Sequence, residues 1–142
     1  MKSRSHGFTL IELMVAIIVI SIFTTIAMSS YRRQLRRAQR NEAMQALLRA
    51  QTVQEIHFLQ SNAYTSDLVA TPPAGLGLMN ITARGNYRIA FSASTTTTYR
   101  FTATAIGRQR YDDSCAIFAI DQSGTREAQD KNGEDTREVC WR

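Results

Sequence analysis

The chain is poor in the residues that carry most enzyme and metal chemistry. It has two histidines, two cysteines and one tryptophan in 142 residues. Neither His6 nor His57 has a spaced partner that would complete a metal site. No Cys-x-x-Cys occurs, which excludes the usual dithiol redox motif. Glycine-rich phosphate loops, nucleophile elbows and ligand-spaced carboxylates are missing as well. Asp112-Asp113 and Glu134-Asp135 are the acid pairs that calcium would use, and such pairs are ordinarily solvated surface charges. The expectation is a protein with no catalytic residue, no cofactor and no bound metal. Glycine and proline are scarce, at seven and two, and neither falls between Ser30 and Gln60, so that stretch holds no helix breaker. The net charge of +5 is too small to argue for nucleic acid by itself.

What the chain does have is one long apolar run near its start. It reads His6-Gly7-Phe8-Thr9-Leu10-Ile11-Glu12-Leu13 and continues to Met28. A helix crosses a bilayer in about 20 residues, which this run supplies. Glu12 is the one charge in it, costing about 2.5–3.5 kcal/mol at mid-membrane and less near the edge, so it calls for a functional partner. A secretory signal peptide would use Lys2 and Arg4 as its basic region and Ala27-Met28-Ser29 as its cleavage site. The run is too long for that, and it contains an acid. A plain membrane anchor leaves the Gly-Phe pair before the acid without a reason.

Gly7-Phe8-Thr9-Leu10-Ile11-Glu12-Leu13 resembles the processing site of a class III prepilin leader, found in type IV pilins and in the pseudopilins of type II secretion. The resemblance implies that a membrane-embedded prepilin peptidase cuts between Gly7 and Phe8, that Phe8 is then N-methylated, and that Glu12 guides filament assembly. A carboxylate and an amine about 4 Å apart attract by about 4 kcal/mol at an effective dielectric of 20. Pairing Glu12 with the Phe8 amine of a neighbouring subunit would thus select the axial stagger. The implied fold is α+β: a long N-terminal α-helix, membrane-spanning in its lower half, packed on a small antiparallel β-sheet whose C-terminal loop is closed by a disulfide. The implied division is a leader over 1–7, a helix over 8–60 with 8–28 as transmembrane segment and filament core, and a head over 61–142. Loss of the leader removes Lys2 and Arg4 and leaves a net charge of +3. In an exported segment, the even pair Cys115 and Cys140 favours a disulfide over a metal site.

Apolar residues at Tyr31, Leu35, Ala38, Ala43, Ala46, Leu47, Ala50 and Val53 step by three to five, as on one face of a helix. The helix reads as about fifty residues, roughly 75 Å at standard rise, ended by residues 61–66. Thr71-Pro72-Pro73-Ala74-Gly75 is a loop signal. Three strands are expected, over 87–93, 99–105 and 115–120, as an antiparallel meander with one face on the helix. The polar tail from Thr125 to Arg142 is expected to be loose unless Cys140 pins it to the third strand.

Arg32, Arg36 and Arg40 follow the apolar run at helical spacing, with Arg33 and Arg37 beside them. Like charges this close suggest external partners: membrane lipid headgroups before assembly and acidic neighbours after it. DNA binding by a competence-type minor pilin ranks below that reading, with Tyr99, Arg100, Arg108, Arg110 and Tyr111 as a basic-aromatic surface. The arginines also argue, by the positive-inside rule, for a cytoplasmic head. The leader argues for the periplasm and is preferred, because an enzyme reads it. Major pilins carry a glycine and a proline in the membrane segment where this chain has Ser21 and Ser29, so its helix is expected to be straighter.

Val139-Cys140-Trp141-Arg142, Asn41-Glu42-Ala43 and Gln54-Glu55 are similar to PilE-type minor pilins. The resemblance implies a structural, non-enzymatic subunit that primes pilus assembly and enters the fibre used for twitching motility and cell adhesion. Its implied partners are the major pilin, other minor pilins, prepilin peptidase and the inner-membrane assembly platform. Its implied location is the inner membrane with a periplasmic head, then the extracellular fibre. A pseudopilin of a type II secretion system is the alternative, which the C-terminal cysteine pair disfavours.

Overall fold

A computed structural model describes residues 9–142. The expected cleavage site at Gly7 and Phe8, and the methylation of Phe8, lie outside the described residues. The first element, α1, runs over Leu10–Ser61. Its start is set by Thr9, whose Oγ1 accepts the Glu12 N–H at 3.3 Å. Thr9-Leu10-Ile11-Glu12 has the spacing of a capping box, and an acid in the first turn suits the positive end of the helix dipole. Further along, the hydroxyls of Ser21, Thr24 and Thr25 donate to the carbonyls of Ile17, Ile20 and Ser21 at 2.7, 2.7 and 2.9 Å. Hydroxyls satisfied within the helix can sit in an apolar segment without outside partners. The helix is continuous across positions 21 and 29. Leu10, Ile11, Ile18 and Phe23 are all exposed, and α1 has a stretch long and apolar enough to cross a membrane.

Residues 36–142 form a compact unit of their own. Here α1 buries Ala43, Leu47, Ala50 and Gln54, whose steps of four, three and four make one stripe. Tyr31, Leu35 and Ala38, expected on that stripe, are exposed; within the second unit the fully covered stripe starts at Ala43. The strands are β1 (Tyr87–Ser94), β2 (Tyr99–Ala105), β3 (Ile117–Asp121) and β4 (Arg126–Gln129). They form one antiparallel sheet in the order β1-β2-β3-β4. Alternation sends Tyr87, Ile89, Tyr99, Phe101, Phe118 and Ile120 inward to a core shared with the helix stripe. Two of the three core positions on the helix are alanine, and their small size leaves room for the aromatic side chains of the sheet. Tyr87 packs edge-on against Phe118 at 5.7 Å, and Tyr99 lies 5.1 Å from Phe101. At the end of α1, the two ring nitrogens of His57 lie 3.1 Å from the carbonyls of Ala63 and Pro73, tying the helix to the loop that follows.

The tail differs from expectation. It contains the fourth strand, β4, paired with β3 from Ile117↔Gln129 to Ile120↔Arg126, and a short helix, α2, over Arg137–Cys140. Cys115 and Cys140 are joined at 2.01 Å. Trp141 packs edge-on against Phe118 at 5.8 Å, donates from Nε1 to the Glu127 carbonyl at 2.8 Å, and lies under the Arg126 guanidinium at 5.2 Å. The tail is held by pairing, packing and a covalent bond together.

Replacing Cys140 by serine opens a link between residues 25 apart in sequence, which should cost about 3 kcal/mol on the chain-entropy model. Urea unfolding of the full chain in detergent, read by Trp141 fluorescence, measures the loss. An unchanged midpoint would mean that β4 and Trp141 suffice.

Candidate functional site

The two units offer separate candidates. In the first, Glu12 is exposed one turn into α1 and forms no ion pair among the described residues. Its backbone N–H is taken by Thr9, while the side chain is the one charge on the helix between Leu10 and Tyr31. Arg32 and Arg33, later on the same helix, are exposed, with Arg33 donating to Ser30 Oγ at 3.4 Å.

Within the second unit, Arg36 and Arg37 are exposed but Arg40 is not. Arg40 donates from Nε and Nη2 to the two carboxylate oxygens of Asp112, at 2.6 and 2.7 Å. Its side chain is 15% exposed and that of Asp112 only 2%. Hydrogen bonding to Asp112 raises the Arg40 guanidinium against the opposing effect of burial. Arg40 therefore leaves the set of arginines open to outside partners. Asp112 leaves the set of calcium candidates for the same reason, and Asp113 is bound to Lys131 at 2.8 Å. No cluster of three or more metal-binding side chains exists among the described residues.

Asp112 closes a 3-10 helix over Gly107–Tyr111. The helix begins at a positive φ of 57° on Gly107, a conformation open to glycine at little cost. Ile106 N–H donates to the Asn86 carbonyl at 2.8 Å, which sets this helix beside the turn before β1. Gln109 is buried and donates from Nε2 to both Tyr87 Oη and Asp112 Oδ2, at 2.9 Å each. Burial pushes the Tyr87 hydroxyl far above its ordinary range. On α1, Glu42 accepts from Arg84 N–H and Asn86 Nδ2 at 2.7 Å each. Burial alone would raise that carboxyl, but these bonds outweigh it and hold it below the usual range. Arg40 and Glu42 thus fasten α1 to both loops at this end of the sheet.

Around this network lie the exposed Arg84, Arg108, Arg110 and Tyr111, none in an ion pair among the described residues. The expected partners Tyr99 and Arg100 do not join them. Tyr99 is buried with its hydroxyl donating to Glu55 at 2.7 Å, and Arg100 pairs with Glu127 on the outer sheet face. Strand alternation explains both: Tyr99 shares the inward side with Phe101, and Arg100 points the other way. Arg84, beside the 3-10 helix, was not singled out from sequence; its position after a turn and before a strand is the signal that marks it. Next to Glu42, a cleft of about 360 Å³ runs between α1 and residues 77–83, floored by Ala46, Ala50, Leu68 and Ile89 with Arg49 at its edge.

Residues 29–119 match a family described as type IV minor pilin ComP, DNA uptake sequence receptor. Residues 2–28 match the prokaryotic N-terminal methylation motif. Among solved structures, the non-core minor pilin PilV of Neisseria meningitidis is 16% identical, with 71% of this chain and 93% of that chain covered and a TM-score of 0.53. A type IV pilin from Shewanella oneidensis is 19% identical over 64% of this chain and 89% of its own, with a TM-score of 0.48. No curated protein matches the chain.

Arg40→Ala strands the buried Asp112 carboxylate and should cost about 3–5 kcal/mol, whereas Arg36→Ala and Arg37→Ala should each shift stability by less than about 0.5 kcal/mol. Denaturant melts of the three full-length variants in detergent decide it. Equal midpoints would show that the pair holds nothing together.

Proposed function

We propose that this chain, which belongs to the type IV minor pilin family, enters the pilus through α1 and offers its head to DNA. The observation that carries the assembly role is a helix exposing apolar side chains from Leu10 onward with a single acid, Glu12, in its first turns. Such a surface needs lipid or other helices around it. Before assembly the helix lies in the inner membrane, with the head on the periplasmic side and Arg32, Arg33, Arg36 and Arg37 at the headgroups. Prepilin peptidase cuts after Gly7, and Phe8 becomes a methylated cationic terminus. On leaving the membrane, Glu12 pairs with the Phe8 amine of an adjoining pilin, since an unpaired acid in an apolar fibre core is costly. Neighbours in the fibre are the major pilin and other minor pilins, brought together by the assembly platform. Priming, twitching and adhesion follow from that place in the fibre.

The head also takes part in binding DNA. The matched family is described as a DNA uptake sequence receptor, and the head displays Arg84, Arg108 and Arg110 on adjoining loops with no acid paired to them. Phosphate contacts by such arginines supply affinity that falls with salt.

Glu12→Leu should leave the subunit in the membrane and reduce its share of sheared pili severalfold, as measured by immunoblot against the major pilin; a normal share would refute the pairing. For DNA, retention of a labelled duplex by the full chain in detergent should weaken with salt. An Arg108→Ala, Arg110→Ala double variant should flatten the log–log salt slope by about 2. An unaltered slope would move the DNA contact away from the 3-10 helix.

A further inference from the structure

The 3-10 helix has three residues per turn, so side chains three apart lie one above the other. That period sorts Gly107–Asp112 into three edges. Gln109 and Asp112 form the inner edge and are 1% and 2% exposed. Arg108 and Tyr111 form an outer edge, where the Tyr111 ring is 75% exposed. Gly107 and Arg110 make the third. Its own unit leaves most of that ring open.

The mount beneath the ring is firm. Gln109 is bonded to Tyr87 and Asp112, and Asp112 is gripped at both oxygens by Arg40. The backbone closes on itself through Gln109 N–H to Ile106 O at 3.1 Å and Asp112 N–H to Gln109 O at 2.9 Å. A ring held this way loses little freedom on binding, since its backbone is already ordered and tyrosine has only two side-chain torsions to fix. The charge around it is positive: Arg108 and Arg110 are unpaired, and the next exposed acid, Asp113, is neutralised by Lys131.

We infer that the Arg108–Tyr111 edge stacks an unpaired base while Arg108 and Arg110 hold the adjoining phosphates, so that this head binds DNA with single-stranded character. The inference rests on the DNA role proposed above and specifies it. A base inside a duplex has both faces covered by its neighbours and cannot lie on Tyr111. A base in a single strand has an open face, and an exposed ring flanked by cations is what such strands bind.

The test is fluorescence anisotropy with the full chain in detergent, using a labelled homothymidine strand and a long linear duplex in which ends are few. Tyr111→Ala should weaken strand binding by about 5- to 100-fold and leave the salt slope unchanged, because no charge is removed. Tyr111→Phe, which keeps the ring, should bind the strand within about twofold of the parent. Duplex binding should be indifferent to both changes. Strand binding that survives Tyr111→Ala, while Arg108→Ala flattens the salt slope, would overturn the stacking and leave the DNA role standing. Equal weakening of strand and duplex by Tyr111→Ala would also overturn it. Failure of the parent chain to bind either DNA would remove the DNA role itself, and the inference with it.

Discussion

Arg40 reaches from α1 to a carboxylate 72 residues away in sequence, and the order of the surrounding loops follows from that contact. Asp112 is too deeply buried to stay charged without a partner. The guanidinium supplies two parallel hydrogen bonds, and the second oxygen's remaining capacity is taken by Gln109. Gln109 in turn satisfies the Tyr87 hydroxyl, which the aromatic core would otherwise leave unpaired. One cation on the helix thereby fixes strand β1 and the 3-10 helix between β2 and β3.

The same helix contributes little bulk to the core it shares. Ala43 and Ala50 flank Leu47, and the large side chains come from the sheet. This division leaves the opposite face of α1 free for other contacts. It also separates two tasks along one continuous helix: apolar and exposed from Leu10, then narrow-striped and covered from Ala43. The arrangement suits a subunit that must bind a membrane or a fibre with one stretch and its own head with the next.

Much of this was legible in the sequence, and the failures have physical causes. The Tyr87 and Tyr99 strands show clear alternation, and their bounds agree with it to within a residue. Arg126-Glu127-Ala128-Gln129 has the composition of a helix and no apolar alternation; it is a strand because β3 offers it a pairing edge beyond the turn at residues 121–125. The turn is legible in Asp121-Gln122-Ser123-Gly124, and a turn that closes a strand implies a hairpin partner after it. Arg40 is indistinguishable from Arg36 by helical spacing, since only the fold brings Asp112 to one of them. The alternation that marks its strand also puts Tyr99 inside with Phe101 and off any surface.

The register of β1 slips between Phe91 and Ala93, so that Ser92 is an extra residue in that strand. Beyond the slip, Ser94 faces Tyr99 and its hydroxyl reaches the Thr65 carbonyl at 3.4 Å. The hairpin tip then lies over the chain leaving α1, where Tyr64 N–H donates to Thr96 at 3.0 Å. The sheet is consequently fastened near both limits of the helix segment it covers, by the Arg40 ion pair at one and by this tip at the other. Tension drawn along α1 meets two anchors at once, and a force that would peel the layers apart from one side is carried instead as shear across the whole of their contact.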